Sequence, residues 1–228
     1  MKYYITNEKL DAQIVEIRKK IRLLMNGIVA DSMTRKGIIY VKNYGVALPD
    51  LKELAKKHQP SNDLADRLWL IGWRETVILS ILLQPIETFS IDKAIARVNS
   101  IKNNETAEII CMYLLSKTDF APTLCFDLID SENTQNQTTG FMLVARIYSR
   151  LTDEQAKKLI KRCAQLSITE NYNLYKSIGL CLSRLVRINS NTANTIKLLV
   201  ENFQKLETPS QWHIANEVKQ EMEFLIKM

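Results

Sequence analysis

Leu10, Ile14, Ile17, Ile21 and Leu24 recur at spacings of three and four along residues 7–27. Such a stripe predicts one amphipathic helix with a single apolar face. Asn26-Gly27 supplies a C-terminal stop for it. Residues 33–46 show no such period and carry Gly37 and Gly45, so an irregular segment is expected there. Pro49, at a first-turn position after Leu48, opens a helix running to about His58. Further helical blocks are predicted at about 62–72, 73–83, 90–101, 104–116, 120–130, 136–150, 153–166, 170–188, 191–206 and 209–227. The prolines (Pro49, Pro60, Pro85, Pro122 and Pro209) fall at the edges of these blocks, as a residue without an N–H should. Thr152-Asp-Glu-Gln155 and Thr208-Pro-Ser-Gln211 have the spacing of capping boxes. No stretch alternates apolar and polar residues for long enough to predict a strand.

Many helices of ordinary length joined by short loops favour antiparallel neighbours. A loose period of roughly 35–45 residues per helix pair, without strong internal identity, is how divergent HEAT-like arrays look. The predicted fold is all-α. It is a right-handed superhelix of antiparallel helix pairs, a HEAT-like repeat solenoid forming a single domain over residues 1–228. Within it the N-terminal helix spans 7–27 and the repeat array about 48–227. A compact helical bundle is the alternative. A solenoid would offer a concave surface along which basic residues could follow a phosphate backbone.

Charge changes the picture more than composition does. The chain has a net charge of +6, and residues 146–187 alone account for it. They hold nine Lys or Arg (Arg146, Arg150, Lys157, Lys158, Lys161, Arg162, Lys176, Arg184, Arg187) against three acids (Asp153, Glu154, Glu170). A segregated excess of this kind points to a polyanion, because clustered cations raise the local potential where dispersed ones cancel. A solvated helical surface is the plainer alternative. The N-terminus carries no apolar leader and no apolar run approaches membrane-spanning length, so a cytoplasmic protein without a membrane partner is expected.

Conventional catalytic chemistry finds little support. Cys111, Cys125, Cys163 and Cys181 are widely spaced, and His58 and His213 are isolated, so neither a metal site nor a disulfide framework is expected. The cysteines read as reduced, packed residues. No phosphate loop, nucleophile elbow or zinc-protease motif occurs.

Four segments carry a family resemblance. Asn43-Tyr-Gly-Val-Ala-Leu-Pro-Asp-Leu-Lys-Glu-Leu-Ala-Lys56 resembles the pattern G-V-x-x-P-x-L-R/K-x-I/L-A-K. Met33-Thr-Arg-Lys-Gly-Ile38 is similar to M-A-R-F-G-I. The run from Asp63 to Leu79 resembles L-A-x-x-L-W-x-S/T-G-x-x-E-A-R-I-L-A, and Trp212-His-Ile-Ala-Asn-Glu-Val218 resembles W-V/I-A-x-D/E-A. These are signatures of the AlkD-like DNA alkylation-repair glycosylases, and they hold in order over about residues 30–225. The resemblance implies HEAT-like repeats and excision of cationic N3- or N7-alkylated purines without metal or organic cofactor. It also implies a carboxylate that stabilises positive charge developing on the sugar, aromatic groups against the charged base, and arginines on phosphates.

The sequence departs from the family at the chemistry. The family's W-D-x-x-D falls on Ala107-Glu-Ile-Ile-Cys111, so Ala107 replaces a Trp and Cys111 the catalytic Asp. A neutral thiol cannot act as the anion. The K-A-x-x-W-A-L-R pattern becomes Lys176-Ser-Ile-Gly-Leu-Cys-Leu-Ser183, with Leu180 for a second Trp and Ser183 for an Arg, although Arg184 follows. A family K-R pair becomes Gln137-Thr138. Glu108 lies three residues from Cys111 and is the possible substitute acid. It also matches an acidic position of the family pattern, which fits a structural role.

For DNA contact the expected residues are Arg146, Arg150, Lys176, Arg184 and Arg187. Tyr40 joins them because some family members place a Tyr before a similar M-K/R-N segment. Tyr172 and Tyr175 could stack on bases or sit at a helix rim. Trp69 and Trp73 would share a face only if one helix spanned both, which Gly72 argues against, and Trp69 reads as a core aromatic at an inter-helix seam. The expected function is duplex-DNA binding with glycosylase activity reduced or lost. An active glycosylase using a non-standard acid, or a protein-interaction scaffold, are the alternatives.

Overall fold

The computed structural model describes residues 7–205 and 208–226. Among them every regular element is a helix, as expected, with one isolated parallel bridge between Lys42 and Trp73. It divides into two compact units, with the boundary in the chain between Ser90 and Ile91.

The first unit contains α1 (Glu8–Leu23), α2 (Gly27–Arg35), α3 (Leu48–Ala55), α4 (Asn62–Ile71) and α5 (Arg74–Leu82). α1 buries Leu10, Ile14, Ile17 and Ile21, four of the five stripe positions read from the sequence, whereas Leu24 lies past the helix end and is exposed. Its C-terminus differs from expectation. The helix ends at Leu23, and Asn26 starts the next helix by accepting a hydrogen bond from the Val29 N–H. Asn26-Gly27 is therefore an N-terminal cap, a role the Asn side chain fills because its oxygen meets an amide the helix leaves unpaired. Part of the segment expected to be irregular is thus α2. That helix buries none of its residues, and Ile28 is 81% exposed.

α4 ends at Gly72 in the left-handed region, and α5 packs back on α4. Trp69 and Trp73 consequently sit on different elements. α5 is buried through its length, and its Glu75 is fully enclosed. The Glu75 carboxylate accepts hydrogen bonds from the Tyr44 N–H (3.1 Å), the Val46 N–H (3.3 Å) and Arg74 Nη1 (3.3 Å). Arg74 Nη1 also donates to the Val46 carbonyl at 2.7 Å. The loop before α3 is thereby fixed to the start of α5.

The second unit contains α6 (Ile91–Asn99), α7 (Asn104–Tyr113), α8 (Ala121–Ile129), α9 (Thr134–Ile147), α10 (Asp153–Leu166), α11 (Tyr172–Leu185), α12 (Ser190–Lys205) and α13 (Pro209–Ile226). The expected ends at Leu206 and Lys227 lie outside the described residues. α9 packs against both α7 and α11, and α11 against both α9 and α13, so these four alternate helices form one row. α8 backs α9, α10 backs α11, and α12 backs α13. The core lies between row and backing and is lined by Phe141, Leu143, Leu159, Ile178, Leu182 and Ile196.

The capping box at Thr152 forms as expected, with Thr152 and Gln155 satisfying each other's backbone amides. The similar pattern at Thr208 is used differently. Gln211 is buried and its amide donates to Ser167 Oγ at 2.8 Å.

Gly140 sets the approach of α9 to α8. A Cβ there would lie 2.7 Å from Ile129 Cγ1 and 3.0 Å from both the Cys125 carbonyl oxygen and the Ile129 nitrogen. Alanine would favour the helix by about 1 kcal/mol. The clash involves backbone atoms, however, and overpacking costs about 1–3 kcal/mol. Gly140→Ala is expected to destabilise the protein on balance, read as a lower urea midpoint. A raised midpoint would show that α8 and α9 separate freely.

Candidate nucleic-acid interface

The four-residue period of α11 places Tyr172, Lys176, Leu180 and Arg184 in one line, with Arg187 just beyond. Leu174, Ile178, Cys181, Leu182 and Leu185 are buried on the other side. Tyr172, Lys176 and Arg187 are exposed, and Leu180 and Arg184 half-buried. On α9 Arg146 is exposed at the last turn. The expected cations therefore lie on neighbouring helices of one row, except Arg150. Its guanidinium donates to the carbonyls of Ser116 (2.7 Å) and Thr118 (2.9 Å), closing the turn after α7. Lys157, Lys158 and Lys161 are exposed on α10, in the backing helices, and Arg162 there pairs with Asp130 at 2.6 Å.

α13 supplies what the charge count did not foresee. His213, Glu217 and Glu221 recur every four residues and face the α11 line. Arg187 Nε donates to Glu221 Oε1 at 2.6 Å, and Arg184 Nη1 approaches the same oxygen at 3.5 Å. One carboxylate thus serves two arginines. Glu217 fits over Gly179, where a Cβ would meet its Oε2 at 2.4 Å. Burial pushes the Glu217 carboxyl above its ordinary range, and the charges of Lys176 and Arg184 only partly reverse this. The spacing of the three residues was the available signal for this acidic line.

Aromatic groups crowd the same end of α11. The Tyr172 and Tyr175 rings meet edge to face at 5.3 Å, and His213 lies 5.1 Å from Tyr175. Lys176 Nζ sits 5.7 Å from the Tyr172 ring centre. Trp212, next to His213, is 57% exposed.

The positions that resemble the family's catalytic helix lie on α7. Ala107 and Cys111 are fully buried and Glu108 is exposed. The Cys111 thiol donates to the Thr139 carbonyl of α9 at 3.5 Å, and burial pushes its pKa far up. Arg146 opposes that shift and Glu108 adds to it, so both charges stand near this buried thiol. The other cysteines are also free and buried, with Cys163 and Cys181 Sγ atoms 3.9 Å apart. Tyr40 belongs to the first unit and is half-buried. No described helix is long and apolar enough to cross a membrane, and no described cluster of His, Cys, Asp or Glu could hold a metal.

The family model for the DNA alkylation repair enzymes matches residues 17–195, more than three-quarters of the chain. The protein belongs to that family. Among solved structures it is similar to one described as a new family of proteins related to the HEAT-like repeat DNA glycosylases with affinity for branched DNA structures. The TM-score is 0.74 over 82% of this chain and 81% of that one, at 11% identity. Such a likeness concerns the fold, so this member of the DNA alkylation repair family has the HEAT-like repeat glycosylase fold. No curated protein matches its sequence significantly.

Proposed function

We propose that this member of the DNA alkylation repair family binds DNA, duplex or branched, through cations on α9 and α11, with alkylpurine glycosylase activity reduced or lost. The observation that carries the reading is the line Tyr172, Lys176, Leu180, Arg184 and Arg187 on α11, beside Arg146 on α9. Lys176 and Arg146 are exposed and have no direct ion pair among the described residues, so they are the leading phosphate ligands. Arg184 and Arg187 are shared with Glu221 and would exchange that carboxylate for phosphate on binding. Arg150 contributes through position rather than contact, because its guanidinium is committed to the backbone. The affinity for branched DNA ascribed to the similar structure supports including junctions among the ligands.

Reduced catalysis rests on α7. A carboxylate works by standing close to positive charge as it develops. Cys111 is a buried neutral thiol, and Ala107 offers no ring to a cationic base.

Binding is measured by titrating duplex and four-way junction DNA at several salt concentrations, and excision by release of 7-methylguanine and 3-methyladenine. The reading expects salt-dependent binding and little free base. No binding at low salt would favour a protein scaffold. Steady base release abolished by Glu108→Gln would restore the active enzyme.

Glu221 gives a variant of opposite sign. Glu221→Gln removes the negative charge held by Arg184 and Arg187, leaving both available to phosphate. Binding is expected to tighten, and the plot of log K against log salt to steepen by up to about one unit, the contribution of one further neutralised phosphate. Weaker binding by this variant would mean that Glu221 positions the arginines instead.

A further inference from the structure

The first unit holds a cluster of cations that the DNA-binding reading does not use. Arg18 Cζ lies 4.5 Å from the Trp73 ring centre. Lys42 Nζ lies 5.3 Å from that ring and 5.0 Å from the Tyr44 ring. The two rings are 5.3 Å apart and tilted by 59°. Partial burial pushes the Tyr44 phenol up. Hydrogen bonding and charge from Lys42 and Arg22 outweigh this, so its pKa falls below the ordinary value. Arg22 thus joins Lys42 in acting on this phenol.

Three cations meet here without a balancing acid. Among the described residues no carboxylate pairs with Arg18, Arg22 or Lys42. Glu75, held beneath Tyr44, is occupied by the Tyr44 and Val46 amides and Arg74. Arg18 Nε is buried without a hydrogen-bond partner, whereas Arg22 and Lys42 are exposed. Cation–π contact stabilises each charge by only about 0.5–2 kcal/mol and neutralises none of it. An anion with several acceptor oxygens would satisfy the cluster, and phosphate suits a guanidinium and an ammonium together.

We infer that Arg22, Lys42 and the Tyr44 hydroxyl form a second phosphate site, which takes a backbone phosphodiester of bound DNA. Arg18 backs the site, positioned by Trp73. The bridge between Lys42 and Trp73 and the anchoring of Tyr44 by Glu75 preorganise these side chains on fixed backbone. A site built in advance loses less ordering entropy when the ligand arrives. The proposal rests on the DNA-binding reading but concerns different residues.

The test compares wild type, Arg22→Gln/Lys42→Gln and Lys176→Gln on duplex and junction DNA across a salt series. Both cations of the double variant are exposed, so folding should persist, checked by an unchanged urea midpoint. The double variant should weaken binding by about tenfold on at least one DNA. Its salt slope should also become shallower by about one unit. A wild type that binds while the double variant matches it in affinity and slope would overturn this site and leave the α11 interface standing. A wild type that binds no DNA would overturn both. Inorganic phosphate, titrated at matched ionic strength against tryptophan fluorescence, separates the two sources of phosphate. A response lost in the double variant, together with unchanged DNA binding, would assign the cluster to a small anion and sink the DNA site.

Discussion

Glu75→Ala is expected to destabilise the protein by about 3–5 kcal/mol, the cost of breaking a buried charge pair by removing one partner. The carboxylate is fully buried and accepts from two backbone amides as well as Arg74. Truncation would take that acceptor from both amides, and each unsatisfied buried donor costs about 1–3 kcal/mol. These costs overlap and cannot be added. Even the lower figure is a large share of a typical domain stability of about 5–15 kcal/mol. A urea titration followed by circular dichroism would measure it. Glu75→Gln should cost less, since the amide oxygen still accepts one bond. A Glu75→Ala loss below about 1 kcal/mol would show that water or a shifted loop replaces the carboxylate. Because Tyr44 and Val46 are held by Glu75, the cation cluster should loosen in the same variant.

This residue also shows how far the sequence could be read. Glu75 stood in a recognisable family segment, and Tyr44-Gly45-Val46 in another, but nothing in their spacing said that one binds the amides of the other. That information exists only once α5 is folded against the loop. Helix positions were legible where a helix buries a stripe, as α1 does with Leu10, Ile14, Ile17 and Ile21. α2 escaped notice because it buries none of its residues and so has no stripe to reveal it. Asn26-Gly27 reads equally well as the end of one helix and the start of the next, and the hydrogen bond to Val29 decides for the start. Thr152 and Thr208 began as the same pattern. At the second, Ser167 lies within reach of Gln211 and takes its amide.

The proposed interface was half legible. The excess charge between Arg146 and Arg187 pointed to the helices on which the proposal is built, since composition within a segment survives folding. Its local balance did not, because Glu221, on α13, is 34 residues beyond Arg187 in the chain. Arg150 looked equivalent to Arg146 by spacing, yet the turn after α7 offers its guanidinium two carbonyls. Side-chain charge is a property of sequence, whereas its availability is a property of packing.

Cys111→Asp tests whether a carboxylate at the position that resembles the family's catalytic Asp brings base excision with it. Position 111 is fully buried against the Thr139 carbonyl, which would repel an anion. Arg146 is the nearby charge that would offset the cost, while Glu108 would add to it. Arg146 is exposed, so its help is screened, and a stability loss of about 3 kcal/mol is expected at neutral pH. The sign of the pH dependence follows. Burial would raise the new carboxyl's folded pKa above its unfolded value, so the penalty should shrink as pH falls through that raised pKa. A denaturant midpoint measured across the acid range checks this. No release of 7-methylguanine is expected, because an acid enclosed between α7 and α9 cannot stand beside a sugar on the surface. A variant as stable as wild type that releases free base would place position 111 at an open site. Loss of activity in this protein would then be the work of one substitution, and the rest of the glycosylase machinery would have to be present.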